Sequence, residues 1–144
     1  MLLHFDLVYA ADDTRFRLPF VNLGVCPEAG SSLLLPVIAG QRAAAELLLL
    51  GDFFGAETAI KNGLVNQEMP AGEVNPFAFD KAQQLCSQPG IALRKTKRML
   101  KSASYDEIKQ RILDESRTFS QLLHNDESKE ARQQVADRLR RTVC

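Results

Sequence analysis

The chain has 144 residues, with 18 Lys+Arg against 18 Asp+Glu and so no net charge. It carries no global field to gather nucleic acid or an anionic membrane surface. Apolar residues make up 45% and charged residues 25%, a globular composition rather than a disordered one. A chain of this length buries about two-thirds of its unfolded surface, enough for a core without staples.

The three cysteines, Cys26, Cys86 and Cys144, are odd in number and include no C-x-x-C pair. That pattern speaks against a disulfide scaffold and against a zinc site, and no metal is expected. It fits a reducing compartment. No apolar run approaches the ~18 residues of a membrane span. The N-terminus lacks a basic stretch followed by an apolar one, so no secretory leader is expected and a cytoplasmic setting is the default.

In chain order, Leu3, Phe5, Leu7 and Tyr9 alternate with their neighbours, which predicts a strand over 3–10. Asp12-Asp13 is a turn signal, read as a solvated turn rather than a metal site, and 15–18 is a second short strand. Pro19, Asn22, Gly24, Pro27 and Gly30 punctuate a loop that changes direction more than once. Ser31-Ser32 can cap a short helix over 33–39 that carries Pro36 and ends at Gly40. Residues 42–50 are strong helix formers stopped by Gly51. Within them, Glu46 can pair with Arg42 one turn earlier. Phe53-Phe54 is extended, 56–62 is helical with Gly63 behind it, and Leu64-Val65-Asn66 is a short strand.

The remainder reads as helix. Asn75-Pro76 predicts an N-cap and a first helical residue, with the helix running to about Ser87 and broken by Pro89. A basic helix follows over 91–101. Ser104-x-x-Glu107 is a capping box, and behind it Tyr105, Ile108, Ile112, Phe119 and Leu122-Leu123 share a face. Asp126 can cap a last helix with a stripe of Ala131, Val135 and Leu139. Strands first and helices later suit an α+β domain or the second half of a larger α/β domain. Two short strands make a poor sheet by themselves, a hint that neighbours lie upstream.

Chemistry is sparse. His4 and His124 have no Ser or Cys partner at a recognisable spacing and read as structural. Glu28, in Gly24-Val25-Cys26-Pro27-Glu28-Ala29-Gly30-Ser31-Ser32, has small or apolar neighbours. A carboxylate partly desolvated there would have a raised pKa and could shuttle protons near neutral pH. The same acid could instead serve only the dipole of the helix that follows. Arg94, Lys95, Lys97, Arg98 and Lys101 put five cations into eight residues without an acid. They read as a solvated face, or as a site for a phosphate-bearing ligand.

Taken together, several pieces resemble the crotonase (enoyl-CoA hydratase/isomerase) superfamily. Phe5-Asp6-Leu7-Val8-Tyr9-Ala10-Ala11 is similar to its Cys-Asp-Ile-Val-Tyr-Ala strand. Phe16 to Gly30 follows F-x-x-P-x-x-x-x-G-x-x-P-x-x-G. Ala44 to Gly51 resembles A-x-E-L-L-L-T-G, with Leu50 in place of Thr. Ala56 to Asn66 matches A-x-x-A-x-x-x-G-L-V-N, and Pro89, Ala92, Leu93 and Lys97 match P-x-x-A-L-x-x-x-K.

The resemblance implies an α/β fold, the C-terminal part of a crotonase-like ββα spiral, mostly helical here with a few short strands. It implies an end of the spiral core with the Glu28 loop over 1–72 and a helical oligomerisation region over 73–144. It also implies an acyl-CoA thioester as substrate, no separate cofactor, and a homo-oligomer, a trimer or dimer of trimers. The hydratases of the superfamily use two glutamates. One lies upstream of the Asp6 strand, and the other directly follows the proline matching Pro19, where this chain has Phe20. Glu28 instead resembles the single catalytic glutamate of peroxisomal-type Δ3-Δ2-enoyl-CoA isomerases.

The oxyanion-hole segments and most CoA-binding residues of the superfamily belong to its N-terminal half, upstream of the part resembled here. Lys97 and Arg94 are the candidates of this chain for the CoA phosphates. Three functions follow: a 3-enoyl-CoA isomerase acting through Glu28, an enoyl-CoA hydratase-like enzyme, or a non-catalytic oligomerisation fragment.

Overall fold

A computed structural model describes residues 1–102 and 105–143. Short strands are β1 (Tyr9–Ala11), β2 (Arg15–Phe16), β3 (Phe54–Gly55) and β4 (Gln67–Met69). Helices are α1 (Ser31–Ala39), α2 (Gln41–Leu50), α3 (Ala56–Lys61), α4 (Ala71–Cys86), α5 (Gly90–Ser102), α6 (Tyr105–Leu123) and α7 (Asp126–Val143). Single 3-10 turns occupy Leu2–His4 and Val21–Leu23. The chain is thus mostly helical with a few short strands, as expected.

β1 and β4 pair in parallel, with Ala10 opposite Glu68. Parallel strands need a long crossover, and here it runs through β2, α1, α2, β3 and α3. β2 and β3 pair antiparallel, with Phe16 opposite Phe54 and their rings stacked at 5.5 Å. Leu35, Ala44, Leu47 and Leu48 form one buried cluster between α1 and α2. Ala10, Ala59 and Val65 form a second. Phe54 and Leu64 pack against both, so the two clusters share a wall.

Several expectations are corrected. The strand predicted over 3–10 survives only as β1, and Leu2–His4 is a 3-10 turn. The reason is its neighbour. β4 offers ladder partners only for 9–11, and Asn66 extends the pairing by one residue, with its N–H on Val8 O and its side chain accepting from Val8 N. The strand expected at Leu64-Val65-Asn66 therefore begins its ladder three residues later, while Val65 is spent on the core.

Asn75 is not an N-cap: α4 starts at Ala71 after Pro70, and Pro76 lies inside it. Proline at the sixth helical position forfeits the bond to the Gly72 carbonyl and crowds it, costs that the packing of α4 must offset. Packing selects the longer helix, since Phe77 meets Tyr9 of β1 edge-on at 5.0 Å. Asn125 rather than Asp126 caps α7, accepting from Ser128 N at 2.7 Å. The expected capping box rests on Ser104, outside the described residues. Leu139's side chain is likewise outside them, and Ala131 and Val135 are half-buried.

Candidate active site

The loop over 24–30 turns by left-handed residues at both ends. Gly24 has φ 70°, and a Cβ there would stand 2.6 Å from Ser128 Cα, so α7 can approach only because the residue is glycine. Gly30 has φ 73° and lies under Ile108 and Ile112 of α6. Between them Ala29 also adopts a left-handed conformation, φ 57°, which L residues rarely take outside functional or tightly held turns.

Glu28 rides on this loop. Its side chain stands at the edge of a cavity of about 210 Å³ lined mainly by apolar groups, among them Leu3, Leu18, Phe20, Leu35 and Leu64. Among the described residues, Glu28 is the only acid lining that cavity, and Phe20 lines it with an apolar ring. The expected desolvation is not present, because Glu28 is exposed. Its carboxylate makes no hydrogen bond or ion pair among the described residues. Arg17, the one cation in the lining, is committed to Gly51 O at 2.7 Å.

The loop is held from several sides. Ser31, expected as a cap, instead turns back, and its Oγ donates to Glu28 O at 2.6 Å. His4 Nε2 lies 2.7 Å from Ala29 O. Glu115 of α6, 6% exposed, accepts from Gly30 N at 2.6 Å and from Ser32 N at 2.9 Å. Cys26 Sγ donates to Glu115 O at 3.6 Å, and burial pushes the Cys26 thiol up from its ordinary pKa. Sequence reasoning missed Glu115 entirely, and treated His4 only as a structural residue of a strand. The one available signal was an acid among the apolar positions of α6, too common a pattern to single out.

The basic candidates lie elsewhere. Lys97 and Lys101 are ion-paired to Asp6 at 2.5 and 2.9 Å, and Arg94 is exposed on α5. None of them lines the Glu28 cavity. Lys101 also donates to His4 O at 2.7 Å, so this end of α5 reaches the loop through His4. On the far side of Leu3 and His4 lies a second cavity of about 510 Å³, with Leu34, Tyr105, Ile108 and Ile112 in its walls and Lys101 and Lys109 at its edge. Arg42 and Glu46, expected to pair, do not form an ion pair within the described residues. Asp12-Asp13 is an exposed turn, and no cluster of metal-ligating side chains occurs among the described residues. No helix among them is long and apolar enough to cross a membrane.

Short parallel strands, a mostly helical second half and an exposed carboxylate on the loop beside an apolar cavity are thus brought together. Comparison with known proteins names the class. Residues 1–142 match the enoyl-CoA hydratase/isomerase family, and the chain belongs to it. Carnitinyl-CoA dehydratase of Escherichia coli O157:H7 is 30% identical over 130 residues, which cover 85% of this chain and 49% of that protein. The structure of an enoyl-CoA hydratase/isomerase from Pseudoalteromonas atlantica T6c superposes with a TM-score of 0.92 at 33% identity, covering 95% of this chain and 55% of that one. Pseudomonas aeruginosa OdaA gives 0.85 at 41% identity, covering 90% and 53%. The fold is therefore crotonase-like, and the chain spans about half the length of each of these proteins.

Proposed function

We propose that Glu28 is the proton carrier of an acyl-CoA isomerase that moves a 3-enoyl-CoA double bond to the 2-position. The observation that carries this reading is the lone, unpaired carboxylate at the rim of the apolar cavity. One carboxylate suffices for the shift. It takes a proton from C2, the electron pair moves so that C2–C3 becomes double and C3–C4 single, and a proton returns to C4. The charge passes through a thioester enolate, which needs paired N–H donors. Loss of one such donor typically costs about a hundred- to a thousandfold in rate. In the family resemblance those donors belong to the N-terminal half, so this reading assigns the chain one part of a complete site. The acyl chain would lie along the cavity walls, and Lys97 and Arg94 of α5 stay as candidates for the CoA phosphates. The helical region over 73–144 would carry the contacts of a homo-oligomer, a trimer or a dimer of trimers.

A second reading has its own support, because a relative at 30% identity is named a carnitinyl-CoA dehydratase. Hydration and dehydration must also place a water, a task that favours a second acid, and Phe20 provides none.

The test offers the purified chain, alone and together with the N-terminal half of a family member, a 3-enoyl-CoA, and separately a 2-enoyl-CoA in water. Formation of 2-enoyl-CoA from the first substrate, lost about a hundredfold or more in Glu28→Gln, is the expected result. Hydration of the second substrate without isomerisation of the first moves the assignment to a hydratase. Turnover of neither leaves the chain as a non-catalytic oligomerisation module.

A further inference from the structure

We infer that Glu115 is a positioning residue for Glu28: from α6 it clamps the backbone directly after the strained Ala29 and so fixes the end of the turn that carries Glu28. The inference rests on the catalytic reading of Glu28.

Helix α1 begins after Gly30 and has no side-chain cap of its own. Helix N-termini expose N–H groups that need acceptors. Serine is a favoured cap, yet Ser31 Oγ is turned away onto Glu28 O. The acceptor comes instead from 83 residues away in the chain. Glu115 Oε2 takes Gly30 N and Oε1 takes Ser32 N, one oxygen for each.

The carboxylate is buried, and no cation pairs with it among the described residues. Arg111, one turn earlier on α6, reaches Ser32 Oγ at 3.2 Å instead. A buried charge is costly unless hydrogen bonds replace water, so the two N–H donors and the positive end of α1 are what keep Glu115 there. The dependence is mutual: moving the carboxylate moves both amides.

Those amides lie directly after the point that matters. Gly30 N belongs to the peptide that follows Ala29, and Ala29 holds φ 57°. An L residue leaves that region readily unless its flanks are fixed. Ile108 and Ile112 of α6 press on Gly30 from above, so the same helix supplies both the clamp and the lid over it. His4 holds Ala29 O from the other side. Glu28 is exposed and has no tether of its own on its carboxylate, so its backbone sets the point from which that carboxylate reaches.

The experiment pairs amide hydrogen exchange with kinetics on the full chain. Gly30 and Ser32 amides should be protected in the native chain. In Glu115→Gln their protection should fall at least tenfold, while amides of β4 and α2 keep theirs. With a 3-enoyl-CoA as substrate, kcat should fall roughly tenfold to a hundredfold, as misplacement of a reacting group does, with KM within about twofold. Adding Glu115→Gln to Glu28→Gln should cost nothing further.

Free exchange of Gly30 and Ser32 in the native chain overturns the clamp without any variant having to fold. Loss of protection throughout the molecule with kcat unchanged, or a change confined to KM, overturns the positioning role. A native chain without turnover even when the N-terminal half of a family member is supplied defeats the isomerase reading, and the exchange pattern then decides the clamp by itself.

Discussion

Two parts of this molecule are fastened by carboxylates, under opposite physics. The Glu28 loop is held by Glu115, which is 6% exposed and gives each oxygen one backbone amide. Helix α5 is held by Asp6, whose side chain is 43% exposed and faces two lysines in solvent. In the first case water is excluded, and losing the acceptor strands N–H donors at a cost of about 1–3 kcal/mol each. In the second, water and salt compete for every charge, and a surface ion pair contributes about 0–1 kcal/mol. Ile91, Met99 and Leu100 of α5 are exposed, so the helix presents apolar surface outward as well as its cations. One fastening fixes a position to within a hydrogen bond; the other is a latch.

The largest effect is expected beneath the loop. Leu35 of α1 lines the Glu28 cavity and is 0% exposed. Leu35→Ala should lower unfolding stability in urea by about 2–5 kcal/mol, from lost transfer energy and the cavity left behind. If Asp6→Asn cost as much, the contrast drawn above would fail.

Gly24→Ala comes next. The added methyl would meet Ser128 Cα at 2.6 Å, at a φ that disfavours alanine. Pushing α7 off the loop should cost about 1–3 kcal/mol, read as a lowered thermal midpoint. An unchanged midpoint would mean that α7 does not press on the loop in solution.

Asp6→Asn should cost at most about 1 kcal/mol at neutral pH, with the native contribution shrinking as salt is added. Its acid dependence has a definite sign. Hydrogen bonds from Lys101 and then Lys97 hold the Asp6 carboxyl below its ordinary value of 3.8. A carboxyl held low in the folded state stabilises it fully above that ordinary value, and the contribution fades as pH falls through the lower folded one. Protection of α5 amides relative to their intrinsic exchange rates should fall over that window in the native chain, and the fall should be missing in Asp6→Asn.

The smallest effect sharpens the comparison without changing stability. Cys26 beside Glu115 is half-buried with its thiol pKa pushed up by burial, whereas Cys86 at the end of α4 is exposed. Iodoacetamide at pH 8 should label Cys86 before Cys26. Equal rates would show the loop opening on the timescale of labelling.

Local chemistry alone was enough for part of this protein. The run of Ala and Leu before Gly51, the helix closing at Gly63, the break at Pro89 and the Asp12-Asp13 turn all follow from nearest neighbours, because propensity and glycine's left-handed freedom act over a few residues. The ordered motifs from Phe5 to Lys97 likewise placed the chain in its family and drew attention to Glu28. What local chemistry could not decide was anything set by a distant partner. Strand 3–10 shrank to β1 because only three residues of β4 lie beside it. Helix α4 began before Pro76 because Phe77 found Tyr9. Glu28 kept its water and Glu115 lost its own because α6 lies across the start of α1, and burial belongs to the packed chain rather than to any residue's neighbours in sequence.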